Sequence, residues 1–268
     1  MNRSYSKIRH IQEANLRLEK QFIKESSNNV QNKIIQTVSS LKSVDDVNNY
    51  FEELNNTYAP NSSKLVLIFP GYGQYSIVAS TIYLSGINAQ VFTSINDCIK
   101  VLNDLAKQGK KYNQIYIGSH GGGDRGLLYS IDEGDKSSLG SSYDGLIQAL
   151  NSVKSPGKTN IVFSACGAAN SRYSLKWVAD QMGENTYGSE GAYDWISNTS
   201  EKGFWMCPPK PELFTKGVDK SNNWFCKKVD SVPFSWTSSP RVPSSSDIKS
   251  IRPALPSNID LKSISSKI

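Results

Sequence analysis

Residues 114–124 read Gln-Ile-Tyr-Ile-Gly-Ser-His-Gly-Gly-Gly-Asp, and residues 160–168 read Asn-Ile-Val-Phe-Ser-Ala-Cys-Gly-Ala. Each is an apolar run too short for a helix that breaks off at glycine, the pattern of a strand buried on both faces. Residues 64–70 (KLVLIFP) repeat the pattern and stop at Gly71-Tyr72-Gly73, and residues 88–93 (NAQVFT) give a shorter strand. Helical periods fall between these runs. One passes through Ile77 and Ile82 and ends near Gly86. A second opens at the capping-box-like Ser94-Ile95-Asn96-Asp97, carries Ile95, Ile99, Leu102, Leu105 and Ala106 on one face, and closes at Gly109. A third carries Leu146, Ile147, Leu150 and Val153, and a fourth, over 170–182, carries Leu175, Val178, Ala179 and Met182 before Gly183. Strands alternating with helices predict an α/β fold: a three-layer α/β/α arrangement with a mostly parallel sheet and helices on both faces.

The flanks differ in texture. Residues 1–58 predict a helical region, with Ile8, Ile11, Leu18 and Phe22 on one face and Val30, Ile34, Val38 and Leu41 on another. The α/β domain is expected over 64–229. Residues 230–268, rich in Ser and Pro, predict an extended or disordered tail.

Composition narrows the function classes. The 268 residues include 38% hydrophobic and 20% charged residues, which excludes collagen-like, coiled-coil and wholly disordered chains. A net charge of +6 comes from scattered lysines with no basic block, so no nucleic-acid partner is expected. No run approaches the ~18 apolar residues of a membrane span. The first residues lack the apolar core of a secretory signal, so the expected location is cytoplasmic, or another cell reached by a route without a classical signal. Four cysteines (Cys98, Cys166, Cys207, Cys226) with no C-x-x-C pair, and only two histidines (His10, His120), predict no metal site or other cofactor and mostly reduced thiols.

In parallel α/β sheets the residues just past the strand ends carry the chemistry. Those residues include His120, followed by three glycines that let a backbone approach a ligand, and Cys166, standing before a helix whose unpaired amides stabilise a thiolate. A thiol nucleophile needs a neighbouring imidazole to pass a proton to a departing amine. The amides of Gly121 and Cys166 are candidates to receive the charge that develops on a carbonyl oxygen.

The segments Ile115-Tyr116-Ile117-Gly118-Ser119-His120-Gly121 and Ile161-Val162-Phe163-Ser164-Ala165-Cys166-Gly167 resemble the two catalytic signatures of caspase-like (clan CD) cysteine peptidases. The resemblance covers roughly residues 64–190. The separation of 46 positions from His120 to Cys166 fits the interval of about 50 found in caspases. It implies an endopeptidase acting on a protein or peptide substrate, with Cys166 as nucleophile, His120 as general acid/base and the Gly121 amide as oxyanion donor. Asp124, Arg172 and Asp194 are candidates to bind the residue before the cleaved bond. The sequence departs from true caspases at Ser164-Ala165-Cys166-Gly167-Ala168, where those have Gln-Ala-Cys-x-Gly. Trp195, Phe204, Trp205, Trp224, Phe225, Phe234 and Trp236 offer either an apolar wall to the cleft or closing strands.

Rival readings are weaker. An inactive relative would keep the fold and bind a partner protein through the N-terminal helices or the tail. Gly118-Ser119-His120-Gly121-Gly122 faintly matches the nucleophile elbow of α/β-hydrolase esterases, but no histidine follows it to complete a triad. Gly157-Lys158-Thr159 resembles the end of a phosphate-binding loop but precedes a strand, and so reads as a turn. Cys98, beside Ile95 and Ile99, reads as core.

Overall fold

The computed structural model describes residues 36–38, 40–58, 62–69, 88–119, 121, 141–194, 199–210 and 226–232. The helices expected before residue 36, the one through Ile77 and Ile82, and the tail beyond Val232 lie outside the described residues. So do His10, Trp195, Trp224, Phe225, Phe234 and Trp236.

Within them the chain is mixed α/β: α1 (Val44–Tyr58), β1 (Lys64–Phe69), β2 (Asn88–Val91), α2 (Ile95–Lys107), β3 (Gln114–Ser119), α3 (Ser141–Val153), β4 (Asn160–Ser164), a 3-10 turn (Ala168–Ser171), α4 (Arg172–Met182), β5 (Asn185–Ser189), β6 (Tyr193–Asp194), β7 (Thr199–Ser200), β8 (Phe204–Cys207) and β9 (Lys227–Val229). Seven strands form one sheet in the order β2-β1-β3-β4-β5-β8-β9, and β6 pairs with β7 in a small ribbon. The pairs among β2, β1, β3, β4 and β5 are parallel, whereas β8 and β9 close the sheet antiparallel.

Strand alternation divides the interior. Leu65, Leu67, Phe69, Ile115, Ile117, Ile161 and Phe163 pack with Cys98 and Leu102 of α2, Leu146 and Leu150 of α3, and Leu175 and Val178 of α4. Val66, Ile68, Tyr116, Val162 and Tyr187 join Val47, Tyr50, Phe51 and Leu54, which recur on α1 at i, i+3, i+4 and i+7. Helix α2 starts as its sequence predicts, with the Ser94 side chain accepting from the Asp97 amide at 3.1 Å. Gly109 and Gly183 adopt left-handed conformations (φ 72° and 65°) where α2 and α4 stop.

Two expectations change and one open alternative closes. The strand β5 continues the alternation beyond the last helix foreseen, because Asn185–Ser189 is too polar to be recognised by hydrophobicity. Phe204 and Trp205 belong to closing strand β8, and Phe204 is buried. The expectation of mostly reduced thiols fails for Cys207 and Cys226, which form a disulfide joining β8 to the entrance of β9. Cys98 is buried core, as its position between Ile95 and Ile99 predicts.

Two polar devices hold the periphery. Asn48 of α1 seals the outer edge of β2, its amide donating to the Val91 carbonyl at 2.7 Å and its carbonyl accepting from the Val91 amide at 2.8 Å. Asn55, two turns on, donates to Asn88 at 2.6 Å. Between the entrances of β4 and β5, Glu184 is 4% exposed and accepts from the amides of Gly157 (2.6 Å) and Thr159 (3.2 Å). The turn that resembles a phosphate-binding loop thus directs two of its three amides to a side chain of its own chain, and the Lys158 amide to the Ser155 carbonyl. Lys154 lies 3.8 Å from the same carboxylate and donates to the Met182 carbonyl.

Asn48→Ala removes both partners of Val91 at once and is expected to cost about 1–3 kcal/mol in urea unfolding; an unchanged midpoint would disprove the edge-sealing role. Burial pushes the Glu184 carboxyl above its ordinary 4.5, against the amides and Lys154 that pull it down. A carboxyl that holds its proton more tightly folded than unfolded contributes most below the unfolded value and loses that contribution as pH climbs through the folded one. The stability advantage of wild type over Glu184→Gln should therefore shrink as pH rises from about 4 to neutrality, measured by unfolding at each pH. A widening advantage would show that the amides and Lys154 outweigh burial.

Candidate functional site

Parallel register brings the ends of three strands together. Gly118 of β3 lies opposite Ser164 of β4, and Phe163 of β4 opposite Gly188 of β5. The chain therefore leaves β3, β4 and β5 at one edge, with Gly121 two residues beyond β3, Cys166 two beyond β4 and Glu190 one beyond β5. Ala165 is buried while Cys166 is exposed, so the sulfur stands at the surface on a buried stem.

Gly121 packs directly on the Cys166 backbone. A Cβ at this position would lie 1.7 Å from the Cys166 carbonyl oxygen, 2.5 Å from its carbon and 2.6 Å from its nitrogen. No other residue type fits there without moving one of the two loops. His120, its neighbour, lies outside the described residues, as do Asp124 and the side chains of Arg172 and Asp194. The two segments singled out in the sequence nevertheless meet at Gly121 and Cys166. Ser119 is buried within β3.

The turn from β5 to β6 supplies the second support, which sequence reasoning missed. The Tyr193 amide donates to Cys166 Sγ at 3.3 Å, an arrangement suited to carrying negative charge on sulfur. The Gly167 amide donates to the Gly191 carbonyl at 2.7 Å, and the Ser189 hydroxyl donates to the Ala165 carbonyl. Both glycines are left-handed, Gly167 at φ 64° and Gly191 at φ 91°. The first lets the chain turn from the cysteine into Ala168–Ser171; the second turns it back toward the thiol. Asp194 follows Tyr193 directly in β6, and Arg172 opens α4.

The turn is itself anchored. Glu190 exchanges backbone hydrogen bonds with Gly203 and Lys202, accepts from the Ser200 hydroxyl at its carbonyl, and pairs with Lys228 of β9 at 3.0 Å. Beyond Cys166, the other free cysteine among the described residues is Cys98, whose thiol burial pushes far up. Among the described residues, no group of three or more His, Cys, Asp or Glu side chains is placed to hold a metal ion, and no helix is long and apolar enough to cross a membrane.

Gly121→Ala forces its methyl into the Cys166 peptide and is expected to cost about 3 kcal/mol or more in thermal or urea unfolding. A fully stable variant would mean that the two loops part readily.

Comparison with known proteins finds no matching family model, no matching curated sequence and no matching solved structure.

Proposed function

We propose that this chain is a caspase-like cysteine endopeptidase with a three-layer α/β/α core. The observation that carries the reading is the packing of Gly121 against Cys166, which joins the loop of His120 to an exposed thiol that receives an amide hydrogen bond. Cys166 attacks a peptide carbonyl, and the amides of Gly121 and Cys166 receive the charge on the oxygen. The carbon–nitrogen bond breaks as His120 passes a proton to the departing amine, leaving a thioester. Water then enters, His120 accepts its proton, and the carboxylate product leaves with the thiolate restored.

Asp124, Arg172 and Asp194 remain the proposed contacts to the residue before the cleaved bond. Asp194 has the best claim, because the preceding amide is the one that reaches the sulfur. The disulfide favours export over a cytoplasmic life, since such bonds persist in oxidising compartments.

A peptidyl acyloxymethyl ketone is expected to label Cys166 and leave Cys98 untouched in the native chain. His120→Ala should slow that labelling about 100-fold or more. Mass spectrometry of the labelled peptides reads both outcomes. Cys166 reacting no faster than a small model thiol would favour an inactive relative that binds rather than cleaves.

A further inference from the structure

We infer that Ser189 is a positioning residue for the oxyanion site. The inference rests on the endopeptidase reading and assigns a role within it to a side chain outside the Cys166–His120 pair.

Ser189 is the last residue of β5, fully buried, and its hydroxyl donates to the carbonyl oxygen of Ala165. That carbonyl and the Cys166 amide belong to one peptide unit. A trans peptide is planar, with its C=O and N–H pointing in opposite directions. Fixing the oxygen therefore fixes the direction of the Cys166 N–H, the proposed oxyanion donor. A hydrogen bond at the oxygen also polarises the unit and makes its N–H a stronger donor.

The restraint is needed because the chain changes direction at this point. Cys166 is followed by left-handed Gly167 and then by the 3-10 turn. The Ala168 amide also reaches the Ala165 oxygen, at 3.3 Å. When the hydroxyl is removed, the oxygen keeps the bond from the Ala168 amide of its own turn, while the tie from the plane to β5 is lost. Ser189 is held in its turn by antiparallel pairing with Phe204 of β8, so a strand distant from the catalytic residues sets the angle of the peptide.

Reactions of Cys166 divide according to whether they use the oxyanion site. Addition to a carbonyl builds negative charge on oxygen, whereas displacement of iodide from iodoacetamide does not. In the full-length chain, Ser189→Ala is expected to weaken binding of a peptidyl aldehyde about tenfold and to lower kcat on a peptide substrate by a similar factor. KM and the rate of iodoacetamide alkylation at Cys166 should stay within about twofold of wild type. Ser189→Cys, of similar shape but a weaker donor, should fall between the two and serves where the alanine variant fails to fold.

A parallel loss of aldehyde binding and alkylation would overturn the inference by showing general disorder of the thiol. Unchanged aldehyde binding would overturn it by showing that the peptide holds its angle unaided. A wild-type chain that binds no aldehyde and cleaves no peptide fails at the earlier step: it removes the endopeptidase reading and the role of Ser189 with it.

Discussion

The in-register parallel pairing of β3, β4 and β5 is the constraint on which the rest depends. Parallel strands whose backbones are paired through Gly118–Ser164 and Phe163–Gly188 release their chains at a common edge. Whatever follows each strand is then confined to a small region, without any need for attraction between those residues. Gly121 meets Cys166 for this reason, and the Tyr193 amide reaches the sulfur for the same reason. A register slip of one residue in β4 would turn Ile161 and Phe163 out of their core and would break the meeting of the loops at the same time. Site geometry and core packing are thus enforced by the same hydrogen bonds.

Close approach places demands on residue type. Gly121 faces a carbonyl at a distance that admits no side chain, and Gly167 and Gly191 carry backbone angles that other residues adopt at a cost. Gly188 belongs to the same group, since a Cβ there would fall 2.8 Å from Leu175 Cδ1 and 3.2 Å from the Ala169 nitrogen. Helix α4 can therefore settle close to β5, bringing the start of the helix near the cysteine.

The same glycines explain where the sequence was readable and where it was silent. Strands β1, β3 and β4 are buried along almost their whole length, so each announces itself as an apolar run; helix α2 announces itself through Ser94 and Gly109. Strand β5 is equally buried, but tight contact with α4 and the hydroxyl directed at Ala165 require Gly188 and Ser189 where a recognisable strand would carry valine or isoleucine. Cys166 stands out in the sequence because an unusual residue follows an obvious strand. The turn that supports it works through main-chain groups of Gly191 and Tyr193, and a hydrogen bond from a backbone amide leaves little trace in residue identity. The pairing of Cys207 with Cys226 was equally hidden, because only the antiparallel return of β9 onto β8 brings the two together.

That return matters to the site through charge as well as through the covalent bond. Glu190 sits in the turn that reaches the thiol, and its carboxylate pairs with Lys228 across the width of β8. With its Lys228 end in water and its Glu190 end half-buried, the pair contributes modest energy and is a poor candidate for holding the fold. Its value lies in direction, because the Glu190 backbone is already fixed by Gly203, Lys202 and Ser200, and the added contact with β9 removes one more way for the turn to swing. The disulfide at the entrance of β9 keeps Lys228 within reach. The edge of the sheet is therefore connected to the cysteine by a short physical sequence: a covalent bond, an ion pair, a pinned backbone and an amide aimed at sulfur.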